Sequence, residues 1–283
     1  MRLVAILADV QRVVALVRSS HPEPTAAVTV LSPVVAAAAG RSASGCVLVA
    51  LAVLCGQLSI GWSNDLIDVV RDRSAGRQDK PVATGELPTR VVAAAAGLAA
   101  AGCVPLSLAS GWRAGAAHLV AVAGGWSYNL GLKRTVLSFL PYAVSFGLLT
   151  AFITLGLPGH PAPPWWLVLG GSLLGVGAHC LNVVPDLADD AAAGIRGMPH
   201  RLGERGARTL GGVLLTAASA SVTFGPGPPV PGWAYVGLGL AALLAAASAG
   251  LGAGTGSRLP FLMALATAAV AVALFVGRGS ALG

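Results

Sequence analysis

The chain has 283 residues, 55% of them hydrophobic and only 10% charged, against roughly 25% charged in an average soluble domain. Its 18 basic and 11 acidic residues leave a net charge of +7, but the bases are scattered between long apolar runs rather than gathered into a nucleic-acid-binding patch. This excludes an ordinary soluble enzyme and a nucleic-acid partner, and the sequence carries no signal of a protein partner.

In chain order, the segment from Arg2 to Arg18 has an amphipathic pattern suited to lying along a membrane interface, without the order of regions that marks a signal peptide. Nine apolar stretches follow, near 25–40, 45–62, 91–110, 114–131, 136–157, 164–184, 209–224, 233–250 and 259–277. A spanning helix needs about 20 mainly apolar residues, and in lipid the backbone must satisfy its own hydrogen bonds. The ~10-residue alternation of a membrane barrel is missing. The expected fold is all-α: a polytopic membrane bundle of about nine transmembrane helices, one domain over 1–283.

With nine crossings, all basic residues except Arg41, Arg113 and Arg278 fall on the side of the N-terminus. Basic loops stay cytoplasmic, so the N-terminus is expected in the cytoplasm and the C-terminus outside the cell's inner (plasma) membrane. All eleven acids share the cytoplasmic side, which topology alone does not require. Cys46, Cys55, Cys103 and Cys180 lie inside spans without ligand spacing and read as small apolar fillers.

The acids repeat. Asn64, Asp68 and Asp72 end the second span, and Asn182, Asp186 and Asp190 end the sixth, 118 positions later. At the same offset Gly76, Pro81, Gly85, Glu86 and Arg90 meet Gly194, Pro199, Gly203, Glu204 and Arg208. The chain therefore reads as two related units, about 25–110 and 136–224, with extra C-terminal helices, and the loops after helices 2 and 6 form a cytoplasmic cap. Residues at i, i+4 and i+8 share one helical face, so each unit presents one amide and two carboxylates. Two such stripes facing each other line a cavity that is unstable without cations. All-oxygen donors with room for water suit Mg²⁺. Asp65 and Asp189 fall off the stripes, and only Asp65 is expected to reach the site.

Only two lysines occur beside 16 arginines: Lys80 in the first acidic loop and Lys133 at the end of the fourth span. Tyr128 precedes Lys133 and Arg134 by about a turn and a half. Tyr128, Lys133, Arg134, Arg77 and Lys80 beside a metal cluster describe a diphosphate clamp. Such a clamp neutralises a leaving diphosphate so that an allylic C–O bond ionises. The cation formed needs an apolar, partly aromatic wall, for which Trp62, Trp126, Phe139, Tyr142 and Phe146 are candidates by position. His179, before Asn182 on the sixth span, is a candidate for an acceptor pocket, as is Asp65; His118, His160 and His200 show no ligand spacing.

The run Asn64-Asp65-Leu66-Ile67-Asp68-Val69-Val70-Arg71-Asp72 resembles the NDxxDxxxD motif of the UbiA superfamily of intramembrane prenyltransferases. Asp186 to Asp190 resembles its second motif, DxxxD, and Tyr128 through Arg134 is similar to its Tyr…Lys-Arg element. The resemblance implies nine transmembrane helices with a cytoplasmic cap, and Mg²⁺ at Asn64, Asp68, Asp72, Asp186 and Asp190. It implies diphosphate contacts from Lys133, Arg77 and Lys80, with the four motif aspartates and Lys133 as the catalytic set. Many members carry Asp where this chain has Asn182, which keeps an oxygen ligand and removes a charge. The implied reaction is Mg²⁺-dependent ionisation of an isoprenyl diphosphate and prenyl transfer, most commonly to an aromatic acceptor such as 4-hydroxybenzoate. An acceptor-free terpene cyclase is the alternative, and a membrane transporter a distant one. The Ala/Gly/Arg-rich composition points to a high-GC bacterium, where such enzymes also serve secondary metabolism.

Overall fold

The computed structural model describes residues 2–250 and 257–278, with side chains from residue 10 onward. Its helices are α1 (Arg2–Arg18), α2 (Pro22–Ala38), α3 (Ala43–Ser74), α4 (Pro81–Thr84), α5 (Thr89–Leu108), α6 (Trp112–Leu130), α7 (Leu140–Leu155), α8 (Trp165–Val183), α9 (Leu187–Ala192), α10 (Met198–Phe224), α11 (Gly232–Gly250) and α12 (Leu259–Gly277). Short 3₁₀ turns cover Leu132–Arg134, Val136–Phe139 and Val184–Asp186, and no strand occurs among the described residues.

Six segments are long and apolar enough to cross a bilayer: Ala43–Ser74, Thr89–Leu108, Val136–Leu155, Trp165–Ala192, Gly232–Gly250 and Leu259–Gly277. The chain is a membrane protein. The remaining apolar stretches are also helical, as α2, α6 and the second part of α10, but α2 falls short of that length and α6 and α10 of that apolarity. α2 has only 17 residues, and α10 spends its first turns on the polar run from His200 to Arg208.

Neighbours in sequence pack as neighbours in space: α2 on α3, α3 on α5, α5 on α6, α6 on α7, α7 on α8, α8 on α10, α10 on α11 and α11 on α12. α12 returns to α2 and closes the ring. At one end the buried Arg41 donates to the carbonyls of Phe152 and Ile153 in α7 and to Ser110 Oγ after α5. One guanidinium thus ties three connections together and satisfies acceptors near the C-terminus of α7.

α3 matters most for the site. It starts on Ser42, whose Oγ accepts the Gly45 N–H, and runs unbroken for 32 residues. It passes the expected end of its span near residue 62 and carries Asn64, Asp68 and Asp72 on the same helix. It stops where Gly76 takes the left-handed conformation, φ 65°. The second motif differs from the one continuous face expected. α8 ends at Val183, Pro185 lies in the 3₁₀ turn Val184–Asp186, and the short α9 follows. Proline lacks the N–H that the helix ladder needs, so Asn182 and Asp190 stand on different helices.

The loops after the two motifs nevertheless share one backbone. Ala75, Gly76 and Arg77 N–H groups bond Arg71, Arg73 and Asp72 carbonyls; Ala193, Gly194 and Ile195 bond Asp189, Ala191 and Asp190, each pair 118 residues on. Gly85 and Gly203 also match, with φ 84° and 70°, the second breaking α10 after its first turn.

α7 and α8 approach closely through Gly171 and Gly175, a small-xxx-small spacing. A Cβ on Gly175 would lie 2.6 Å from the Tyr142 carbonyl oxygen and 2.8 Å from Phe146 Cβ. Gly175→Ala is therefore expected to lower Tm in detergent by several degrees, a loss of about 1–3 kcal/mol from overpacking. Gly97→Ala, whose Cβ meets nothing within 4 Å, should leave Tm unchanged or slightly raised.

Candidate active site

Asp68 and Asp72 lie on one face of α3 and are both buried, with relative exposures of 2% and 3%. Carboxylates this deep need compensating cations. Lys133, itself buried, donates from Nζ to Asp68 Oδ1 at 2.6 Å and Oδ2 at 2.5 Å. Arg71 reaches the same two acids: Nη2 donates to Asp68 Oδ2 at 3.0 Å and to Asp72 Oδ1 at 3.0 Å, and Nε to Asp72 Oδ1 at 3.1 Å. Its Nη1 lies 4.0 Å from Asp190 Oδ1, across from the first motif. Burial lowers the pKa of the Lys133 ammonium, against the pull of Asp68, which raises it.

Arg77 makes a second crossing between the motifs. It donates to Asp186 Oδ1 at 3.3 Å and through two nitrogens to Asp79, both at 2.9 Å. That fork holds the Asp79 carboxyl down to about 2. Asp190 Oδ2 is 3.3 Å from His200 Nε2, so His200, whose sequence spacing suggests nothing, stands beside a motif aspartate. Asp189 is exposed and off this face.

Asn64 donates to Asn129 Oδ1 at 3.0 Å, and Asn129 in turn donates to the Ile60 carbonyl and Ser63 Oγ. This buried α6 residue orients the Asn64 amide; the sequence offers no motif that singles it out. Asn182 lies on α8, one turn beyond His179. Rings from α6, α7 and α8 gather into one cluster. Tyr142 stacks on His179 with centroids 4.4 Å apart, Tyr128 meets both edge-on at 5.2 and 5.5 Å, and Phe146 stacks on Tyr142 at 6.5 Å. His179 Nε2 is 3.1 Å from Ser138 Oγ, which accepts the Met198 N–H, while the buried His179 Nδ1 has no partner.

Other candidates lie elsewhere. Asp65 points away from Asp68, to Lys80 Nζ at 2.8 Å and His21 Nε2 at 3.3 Å, and its Oδ2 is buried without a partner. Lys80 is thereby paired with Asp65 and not with the motif acids Asp68 and Asp72. Trp62 donates to the Leu16 carbonyl of α1 and packs with Ala15, Val82 and Leu87. Trp126 donates to Ser59 Oγ and lines an open apolar groove of about 420 Å³ between α5 and α6. Neither tryptophan joins the Tyr128–Tyr142–His179 group, because each α3- or α6-borne ring faces another neighbour. Phe139 is half-buried in the 3₁₀ turn before α7, and Arg134 is exposed.

Among the described residues, no three His, Cys, Asp or Glu side chains are arranged as a ready metal site. The carboxylates are drawn onto Lys133, Arg71, Arg77 and His200 instead. Donor chemistry still fits a hard divalent cation: the motif side chains offer oxygen only, and the cations already gathered there show that the cluster demands positive charge.

The model of the UbiA prenyltransferase family matches residues 25–254. No curated protein sequence matches the chain. Among solved structures, the apo structure of a UbiA homolog from Aeropyrum pernix K1 superposes with a TM-score of 0.73 at 20% identity, covering 90% of this chain and 98% of that one. A UbiA homolog from Archaeoglobus fulgidus bound to DMAPP and Mg²⁺ gives 0.67 at 18% identity, covering 92% and 98%. A digeranylgeranylglyceryl phosphate synthase gives 0.64 at 14%, covering 96% and 99%. At these identities the structures share the fold.

The Asp68–Lys133 pair can be tested by a double-mutant cycle on unfolding in mild detergent. Asp68→Asn should destabilise by about 3–5 kcal/mol, since it strands the buried Lys133 ammonium, and Lys133→Met should cost less, since Arg71 still pairs with Asp68. The double variant should lose less than the sum of the two. Strict additivity would mean that the contact contributes nothing.

Proposed function

Because the chain belongs to the UbiA prenyltransferase family, we propose that it ionises an isoprenyl diphosphate with the help of Mg²⁺ and transfers the prenyl group to an aromatic acceptor. The observation that carries this reading is a charged cluster and a ring cluster built from adjoining segments. Asp68, Asp72, Asp186 and Asp190 lie among Lys133, Arg71 and Arg77, and the Tyr128–Tyr142–His179–Phe146 rings come from the ends of the helices that lead into Lys133 and Asp186 and from the helix between them.

Asn64, Asp68, Asp72, Asp186 and Asp190 would hold Mg²⁺, with Asn182 offering a further oxygen at the edge of the ring cluster. Bound there, Mg²⁺ supplies charge stabilisation for the departing diphosphate. Lys133, Arg77 and the more distant Lys80 and Arg134 would bind the phosphate oxygens by charge-assisted hydrogen bonds. Tyr128, near the end of the helix that leads into Lys133, would position the C–O bond beneath the phosphates. The ring faces of Tyr142 and Phe146 would stabilise the allylic cation and keep water away.

An aromatic acceptor is favoured by the unpartnered His179 Nδ1. Leaving a buried polar nitrogen unmatched is costly, and a phenolic hydroxyl or a carboxylate of the acceptor would satisfy it. His179 would thus orient the acceptor while Tyr142 stacks against its other side.

The same reading covers the rest of the chain. α2, α6 and the second part of α10 would complete nine crossings of the inner membrane, with the basic, acid-bearing side in the cytoplasm by the positive-inside rule. The matched loop conformations after Asp72 and Asp190 support two related units, and these loops would form the cap over the site.

Protein purified in detergent, incubated with Mg²⁺ and C10, C15 or C20 prenyl diphosphates with and without 4-hydroxybenzoate and related phenols, tests the proposal by mass spectrometry. A prenyl-sized mass increase on a phenol is expected. A cyclic hydrocarbon or terpene alcohol formed without acceptor would replace transfer by cyclisation. Asp72→Ala and Asp186→Ala should each abolish diphosphate release, by at least about a hundredfold for loss of a metal ligand, while the protein still elutes as a folded species. Near-wild-type turnover in both would reject the metal-binding assignment.

A further inference from the structure

Arg71 fits neither the acidic stripe nor the expected set of diphosphate-binding cations, yet its guanidinium lies at the centre of the motif carboxylates. We propose that Arg71 is a built-in competitor for the divalent cation: it occupies the Asp68 and Asp72 oxygens that the cation needs and transfers to the diphosphate when cation and substrate bind together. The inference rests on the proposed function and adds a regulatory coupling to the same site.

Three observations carry it. Arg71 is redundant for Asp68, because Lys133 already reaches both Asp68 oxygens at 2.6 and 2.5 Å. Two of its nitrogens nevertheless converge on Asp72 Oδ1 at 3.0 and 3.1 Å, the charge-assisted geometry that most effectively blocks that oxygen. The side chain is also free to leave. Its side chain is 25% exposed while the aspartates it holds are buried, and its Nη1 already extends to within 4.0 Å of Asp190 Oδ1.

Arginine cannot give up its charge to make room. A dication on Asp72 and a guanidinium on the same oxygen repel strongly at contact distance, so one displaces the other. The displaced fork matches a phosphate group, with which it makes paired hydrogen bonds. Cation binding without diphosphate is therefore opposed, and cation binding with diphosphate is assisted. The device belongs to one motif only: 118 residues on, the position matching Arg71 holds Asp189, an exposed acid. The first motif therefore carries its own counter-cation where the second carries an added negative charge.

The test is direct binding of Mn²⁺ to the detergent-purified full chain, read by the loss of the free-ion electron paramagnetic resonance signal. Wild type, Arg71→Gln and Arg71→Lys are compared with and without inorganic diphosphate as the probe. Without diphosphate, Arg71→Gln should bind Mn²⁺ about tenfold more tightly than wild type, the size of one charge-assisted contact removed from competition. Diphosphate should then raise Mn²⁺ affinity less in the variant than in wild type. Arg71→Lys keeps the charge but cannot hold two carboxylates in one planar fork, so it should fall between them, and it carries the test if the glutamine variant does not insert. Equal Mn²⁺ affinity in all three, with Mg²⁺-dependent turnover intact in wild type, would overturn the competitor role alone. Absence of Mn²⁺ binding by every form, together with turnover that needs no divalent cation, would overturn this inference and the metal-binding function beneath it.

Discussion

The structure depends on neutralising carboxylates that have been taken out of water at the end of a membrane helix. Asp68 and Asp72 are almost fully buried, and an isolated charge in that setting is too costly to persist. Lys133 and Arg71 meet the demand for the first motif, and Arg77 meets it for Asp186. These contacts do more than compensate charge. Lys133 comes from the segment after α6, so its bond to Asp68 fixes the position of that segment against α3. Arg77 comes from the loop after α3, so its bond to Asp186 joins the two motifs across the mouth of the bundle. This end of the bundle is thus held by the same acids and cations to which the proposed chemistry is assigned.

Backbone geometry makes this repeatable. After each motif the chain closes with the same three hydrogen bonds and a left-handed glycine. A side chain at either glycine would strain the turn, which explains why Gly76 and Gly194 stand at one offset. Pro185 then distinguishes the motifs. It shortens α8 and puts Asp186 at the end of a 3₁₀ turn, so Arg77 can reach it from the first loop. The sequence similarity of the two loops is stronger than the similarity of the helices that precede them.

This explains which parts were legible in the sequence. Apolar runs located the helices because lipid tolerates little else, though α3 continued through its polar end, where hydropathy falls but the i→i+4 ladder does not. The motif acids were legible because carboxylates are rare here and spaced by a helical turn. Arg71, Asn129 and His200 were not. Each acts through a partner distant in sequence or off its stripe, so no spacing betrays it. Trp62 and Trp126 showed the reverse failing: proximity along α3 and α6 suggested the aromatic layer, but a helix presents neighbouring residues to different faces. Tyr142, Phe146 and His179 converge because α7 and α8 touch through glycines that leave their rings room to meet.

The two layers of the site differ in what constrains them. The upper layer must balance charge, which allows few residue types and leaves a recognisable pattern of acids and bases. The lower layer must only exclude water, offer ring faces and match the polar atoms of whatever enters. Many apolar and aromatic combinations do that, so its sequence carries no signature. On the proposed reading, substrate choice is therefore decided in the lower layer, where the unpartnered His179 Nδ1 is a polar demand. On that reading the ring layer can change its acceptor by altering His179, Ser138 or Tyr142 while the carboxylates remain fixed by electrostatics. A family can in this way keep one ionising half and diversify the other, because the physical requirement is strict at the headgroup level and loose beneath it.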